Sequence, residues 1–320
     1  MKALVTGSSG HLGEALCLRL SAQGHDVVGI DRLPGEATTH QGSIADAHVA
    51  RTAMDGVDAV FHAATLHKPH VATHDEQAFI DVNLTGTLNV LKAAAGAGVR
   101  AFVFTSTTSV FGDALTPAPG APAAWIDEDV APRPKNIYGV TKAAAEDLCA
   151  LFARNHKLPV VVLRTARFFP EADDDERRAA AYPDANLKLN EFLHRRVAIE
   201  DAVDAHVLAA AKAPALGFAR YVISATTPFG REDLPELARD APETLRRKLR
   251  EFEAVYARLG WRMLPTLDRV YVNARARADL AWTPRDDFAS VLARVKNGGS
   301  VLGPLAAHVG LKGYHRAATP

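Results

Sequence analysis

The chain has 320 residues, 48% hydrophobic and 23% charged, with 37 basic and 37 acidic side chains and no net charge. This is an ordinary globular composition, and its charge balance argues against a nucleic-acid or membrane-surface partner. No apolar run reaches the roughly 18 residues of a membrane span. Met1 leads straight into a strand pattern with no room for a signal peptide, so a cytoplasmic protein with Cys17 and Cys149 as core thiols is expected.

In chain order the first half alternates apolar strands with helical stretches. Strands are expected at 2–6, 26–31, 58–64, 101–106 and 158–165. Helices are expected from the first strand to about Gln23, over 46–54, as one long helix over 75–98, and from 137 onward. A Pro- and Gly-rich loop fills 112–135. β-branched, nearly continuous apolar strands separated by helices predict an α/β fold, a doubly wound parallel sheet with helices on both faces. Its ligands bind at the carboxyl ends of the strands. After Thr165 the rhythm changes. An acidic run at 170–178 reads as a solvated loop. Further helices are expected near 200–212, 242–259 and 286–296, with strands at 220–224 and 269–272. The expected division is a dinucleotide-binding domain at 1–165 and a smaller, mixed, mainly substrate-binding region at 166–320, with some segments returning to the sheet.

"VTGSSGHLGEAL" places Gly7, Gly10 and Gly13 between the first strand and the first helix, with Ser9, His11 and Leu12 among them. Such a loop brings backbone N–H groups and a helix N-terminus to a diphosphate, and these six residues are assigned to cofactor binding. Asp31 ends the second strand, where an acid accepts hydrogen bonds from ribose hydroxyls and repels a 2′-phosphate. NAD is therefore expected over NADP, although Arg32 beside it offers a phosphate partner. Ser43 and Ile44 follow the third strand position; Ile44 packs either on adenine or in the core.

"TSTTSVFG", 105–112, sets a row of hydroxyls at a strand end, and "NIYGVTKAAAEDL", 136–148, puts Tyr138 and Lys142 on one helix face. Glycine loop, hydroxyl-rich strand end and Tyr-x-x-x-Lys, in this order, resemble the short-chain dehydrogenase/reductase superfamily. "DAVFHAA", "DVNLTGTLNVLKAA" and "ARADLAWTP" make the chain similar to its extended branch, the NAD-dependent epimerase/dehydratase family, and to UDP-glucose 4-epimerases in particular. The resemblance implies a Rossmann-type domain. Thr107 and Tyr138 would then be catalytic, with Lys142 binding the nicotinamide ribose and lowering the tyrosine pKa. Ala63 and Ala64 would line the cofactor and Asn83 would brace the site. It also implies a homodimer through the helices at 75–98 and 137–156.

Family dehydratases carry Asp-Glu after the hydroxyl residue; here Thr108 and Ser109 stand there, which argues against dehydration. The leading expectation is an NAD-dependent UDP-sugar 4-epimerase working through a transient 4-keto sugar. The alternatives are an NAD(P)-dependent dehydrogenase or reductase of another secondary alcohol or ketone, and a non-catalytic dinucleotide sensor. Substrate contacts are expected from His67, Arg167 (where sugar-nucleotide epimerases typically carry Asn), Asn186, Arg262 and Arg269. His67, His70 and His74 are irregularly spaced on a loop, and no metal is expected.

Overall fold

A computed structural model of the chain describes residues 1–173 and 175–313. Its strands are β1 (Lys2–Thr6), β2 (Asp26–Asp31), β3 (His40–Gln41), β4 (Ala59–His62), β5 (Ala101–Thr107), β6 (Ala124–Ile126), β7 (Val160–Thr165), β8 (Phe218–Ile223) and β9 (Arg269–Tyr271). Its helices are α1 (His11–Ala22), α2 (Ala47–Thr52), α3 (Glu76–Phe79), α4 (Thr87–Gly96), α5 (Ile137–His156), α6 (Glu176–Ala181), α7 (Asp184–Glu191), α8 (Ile199–Leu216), α9 (Leu234–Leu237), α10 (Ala241–Lys248), α11 (Phe252–Leu259), α12 (Ala274–Leu280), α13 (Phe288–Lys296) and α14 (Pro304–Val309).

Seven strands form one parallel sheet in the order β3-β2-β1-β4-β5-β7-β8. Period-two alternation sends successive side chains to opposite faces. Val5, Phe61, Val103 and Leu163 pack with α1 and α8. Leu4, Val60, Phe102, Phe104 and Val162 pack with α2, α4 and α5. Each such buried side chain contributes roughly 1.5–3 kcal/mol. The strand order reverses between β1 and β4, and the glycine loop opens at that crevice, the favoured ligand position of such sheets.

The seventh strand, β8, comes from beyond residue 165 and pairs with β7 from Val160↔Phe218 to Thr165↔Ile223. Helices α7, α9, α10, α11 and α13 enclose a second core around Leu189, Phe192, Leu245, Tyr256 and Phe288. The expected loop at 112–135 contains β6, which pairs with β9 in a separate two-stranded parallel sheet.

Two long helices depart from expectation. The stretch 75–98 is α3, a π-helical segment Ile80–Gly86, and then α4. From the first residue of α4, the Thr87 hydroxyl donates back to the Asn83 carbonyl of that segment at 2.6 Å, an alternative partner to the helical ladder. The stretch 242–259 is two helices, because Leu249 leaves helical conformation at φ −151°, ψ 72°. Arg246 ties the two pieces together through Glu253 at 2.7 Å.

Candidate active site

A cavity of about 570 Å³ runs along the carboxyl ends of the sheet strands. Its first wall is the glycine loop. A Cβ on Gly13 would lie 1.8 Å from the Gly7 carbonyl oxygen, and one on Gly7 would lie 2.8 Å from the Ala64 nitrogen. Only glycines let α1 start this close to β1 and β4. Gly7, Ser9, Gly10, His11, Leu12 and Gly13 all line the cavity. Asp31, Arg32, Ser43 and Ile44 continue the wall, with Ala63 and Ala64 beside the loop. Asp31 accepts from Ser9 N at 3.0 Å and Leu33 N at 2.9 Å, which fixes its carboxylate at the cavity edge. Ile44 lines the cavity and is also buried in the core against Gly86.

This cradle fits a dinucleotide. Its shape excludes side chains where a diphosphate must approach, and α1 presents its N-terminus there. Ser9, Gly10 and Gly13 would hold the diphosphate, and Asp31 the adenosine ribose.

Thr107 at the end of β5 and Tyr138 on α5 line the same cavity, and the Thr107 hydroxyl favours the ionised form of the phenol. Asn136 caps α5, accepting from Gly139 N at 3.0 Å, and so sets the helix turn that carries Tyr138. Burial pushes the Tyr138 phenol up to about 12, and the Thr107 hydroxyl opposes that rise. The phenol is therefore protonated at neutral pH and placed to donate to an oxygen in the cavity.

Lys142 lies one turn further along α5, beneath the cavity wall rather than on it. Its ammonium donates to the Thr105 carbonyl at 2.6 Å and sits 4.0 Å from the Phe104 ring centre. Burial lowers its pKa to about 7. The expected lowering of the tyrosine pKa by this lysine is not what sets the phenol here; burial and Thr107 do. Asn83 also lies outside the cavity. It is buried, accepts from Leu66 N at 2.8 Å, and donates to the Leu66 carbonyl at 2.9 Å and the Thr141 hydroxyl at 3.1 Å. It ties the 65–66 loop to α5, and so acts on the wall and not on the cavity contents.

Of the expected substrate residues, His67, Arg167 and Arg269 line the cavity. His67 stacks on Phe169, ring centres 5.3 Å apart; its carbonyl accepts from His70 N at 2.9 Å, and its own N–H donates to His70 Nδ1 at 3.0 Å. Arg167 donates to the Ala172 carbonyl at 2.6 Å. Asn186 and Arg262 lie elsewhere. Asn186 is fully buried and accepts from Arg262 N at 3.1 Å, while the Arg262 guanidinium stacks on Tyr182 and donates to the Ala181 carbonyl. Both are consumed by packing α7 against the 261–262 turn.

Several lining residues went unread in the sequence. Glu171 and Asp173 belong to the run expected to be a solvated loop, yet Glu171 is buried and Asp173 is half-buried, its carboxylate held by Arg195. Glu171 pairs with His11 Nε2 at 3.1 Å and accepts from Lys312 N at 3.0 Å. Burial works against its ionisation, but the His11 bond and the Lys312 N–H outweigh that and hold its carboxyl at about 2. Arg195, Tyr271 and Lys312 also line the cavity. The Arg195-Arg196 pair was the one local signal among them. Among the described residues no group of three His, Cys, Asp or Glu side chains is placed to hold a metal ion, and no helix is long and apolar enough to cross a membrane.

A family model described as "NAD dependent epimerase/dehydratase family" matches residues 3–223. The chain belongs to that family. A 3 beta-hydroxysteroid dehydrogenase/Delta 5→4-isomerase of Mycobacterium tuberculosis is 39% identical over 119 residues, 34% of this chain and 32% of the relative. The match thus spans about a third of the length of that curated relative. A UDP-glucose 4-epimerase of Streptomyces lividans is 27% identical over 249 residues, 67% of this chain and 72% of its own. A short-chain dehydrogenase/reductase superfamily protein from Agrobacterium tumefaciens, solved with bound NAD, superposes with a TM-score of 0.67 at 23% identity, covering 93% of this chain and 96% of that one. This epimerase/dehydratase chain thus has the Rossmann-like fold and belongs to a family of NAD-dependent enzymes that includes both epimerases and dehydrogenases.

Proposed function

We propose that the protein is an NAD-dependent dehydrogenase or reductase acting at a secondary alcohol or ketone of a compact, non-nucleotide substrate. The observation behind this reading is a cavity that Thr107 and Tyr138 line together and that Asn186 and Arg262, two of the three residues expected near a nucleotide, do not enter, while the third, Arg269, does. Bound NAD supplies the hydride acceptor. Thr107 holds the substrate oxygen. The Tyr138 phenol would donate its proton to a carbonyl oxygen that NADH reduces, and in the reverse direction its phenolate would take the alcohol proton. Lys142 holds the Thr105 carbonyl and so steadies the strand end that presents Thr107. Asp31 at the adenosine edge supports NAD over NADP, since a fixed carboxylate repels a 2′-phosphate.

A UDP-sugar 4-epimerase is the second reading. It is favoured by the relatives that carry that name and by Thr108 and Ser109, which stand where family dehydratases carry Asp-Glu. A homodimer through α4 and α5 accompanies either reading, supported by the exposed Val140 and Leu151 on α5.

The test is turnover on two panels, small hydroxy and keto compounds and UDP-sugars, with wild type and Tyr138→Phe. The proposal expects nicotinamide absorbance to change with the first panel. Tyr138→Phe should lose roughly 10²–10⁴-fold in rate while still binding NADH. Epimerised UDP-sugar without net nicotinamide change would replace this reading with the second.

A further inference from the structure

We propose that Glu146 is a positioning residue for hydride transfer: through Ser106 it fixes the end of β5, and so the place where Thr107 meets the substrate oxygen. The inference rests on the dehydrogenase reading above and adds a residue that lies outside the cavity. α5 carries Tyr138, Lys142 and Glu146 at successive intervals of four, on one helix face. The Glu146 side chain is 2% exposed.

β5 ends in three hydroxyls, Thr105, Ser106 and Thr107. Two of them are spent on neighbouring helices. Thr105 meets His206 Nε2 on α8 at 2.8 Å. Burial holds His206 neutral, its pKa lowered to about 4. Its Nδ1 lies 2.7 Å from the Ala202 carbonyl, which can only accept, so Nδ1 carries the proton and Thr105 donates to Nε2. Ser106 points to the opposite face of the strand and donates to Glu146 Oε1 on α5 at 2.6 Å. Thr107 is left as the hydroxyl presented to the cavity beside Tyr138.

Glu146 is itself held from two strands. Arg164 stands opposite Ser106 in the register of β5 with β7. Its Nε donates to the two Glu146 oxygens at 3.1 and 3.2 Å, and its Nη2 to Oε2 at 2.8 Å. The Arg164 guanidinium also lies 5.0 Å from the ring centre of Phe111, in the segment that follows Thr107. Arg220 of β8 adds its charge to Glu146 from 3.3 Å. The Thr165 hydroxyl, next along β7, donates to the Ser106 carbonyl at 2.9 Å. The residue before Thr107 is thus fixed at its side chain and at its carbonyl. A buried ion pair is a weak source of net stability, but its fork geometry fixes direction, here that of the β5 end. A reacting group misplaced by about 1 Å costs about a hundredfold in rate, so this tie acts on catalysis without touching the substrate.

The experiment uses the full chain. Ser106→Ala is the main variant, because it cuts the tie to β5 and leaves Glu146 paired with Arg164. Glu146→Gln, which strands Arg164, is the second. Thr107→Ala and the double variant complete a cycle. NADH oxidation is followed with the ketone of the first panel that wild type reduces fastest, and rates are expressed per NADH-binding site. The inference expects Ser106→Ala to lower kcat roughly tenfold to a hundredfold, with NADH affinity and the number of sites unchanged. In the Thr107→Ala background the same change should cost less than about threefold. Equal losses in both backgrounds, or a loss seen only as fewer NADH-binding sites, would overturn the positioning role. Amide hydrogen exchange reads the tie without substrate. The peptide 105–112 should exchange about tenfold faster in Ser106→Ala, and at least as fast in Glu146→Gln, while the other sheet strands of Ser106→Ala keep their protection. An unchanged 105–112 peptide would overturn the inference. A loosened peptide in a protein that reduces no panel ketone would overturn the dehydrogenase reading instead, which separates the two failures.

Discussion

Glu191 offers the sharpest stability test, because one buried carboxylate serves three arginines. It is 2% exposed, pairs with Arg195 Nη2 and with Arg196 Nη1 at 2.7 Å, and lies 3.9 Å from Arg167 Nε. Burial alone raises its pKa. The fields of Arg195, Arg196 and Arg167 outweigh that and lower it from 4.5 to about 2. At about 1.36 kcal/mol per pKa unit, that difference is worth about 3 kcal/mol. The sign follows from linkage: a depressed carboxyl stabilises the fold fully above its unfolded pKa of 4.5, and the contribution is lost as pH falls toward about 2. Glu191→Gln should lose roughly 3–5 kcal/mol near neutral pH, since it also strands two buried guanidinium groups. Urea unfolding of both proteins at neutral pH and at about pH 3 measures the gap. The gap should narrow as the medium becomes acidic. A gap below about 1 kcal/mol, or one that does not change with pH, would refute the reasoning.

Gly13→Ala places a methyl group 1.8 Å from the Gly7 carbonyl oxygen. Overpacking of this kind costs roughly 1–3 kcal/mol, so NADH affinity should fall about fivefold to a hundredfold in a fluorescence titration. Unchanged affinity would mean that this loop is not the dinucleotide seat. Lys142 gives a pH dependence of the same sign as Glu191, in a higher window. Burial lowers its pKa from 10.5 to about 7, so between those values the unfolded chain binds the extra proton and stability rises with pH. Lys142→Met should abolish that rise in urea titrations across the same window; a rise that persists assigns it to another group.

What was legible in the sequence was local. The glycine loop, the strand-end hydroxyls and the Tyr138/Lys142 spacing follow from short-range geometry, and the structure sets the loop, Thr107 and Tyr138 around one cavity. The alternation of β1, β4, β5 and β7 with helices announced the parallel sheet because each strand is apolar on both faces. What stayed hidden depends on distant partners. Glu171 and Asp173 look like solvated charges until His11, the Lys312 N–H and Arg195 meet them across the fold. Asn186 and Arg262 sit at plausible distances along the chain, but they bond each other and their neighbours outside the cavity. The π-helical segment at Ile80–Gly86 keeps a helical apolar pattern, and the bonds of its Asn83 side chain go to distant partners, Leu66 and Thr141.

The most direct measurement is the nucleotide released when the protein, purified without added cofactor, is denatured. A dehydrogenase must exchange its cofactor to be recycled, so the account predicts a largely empty site that binds added NAD reversibly and NADP more weakly. Near-stoichiometric NAD, retained through purification, would contradict it and point to an enzyme that regenerates its cofactor within each turnover.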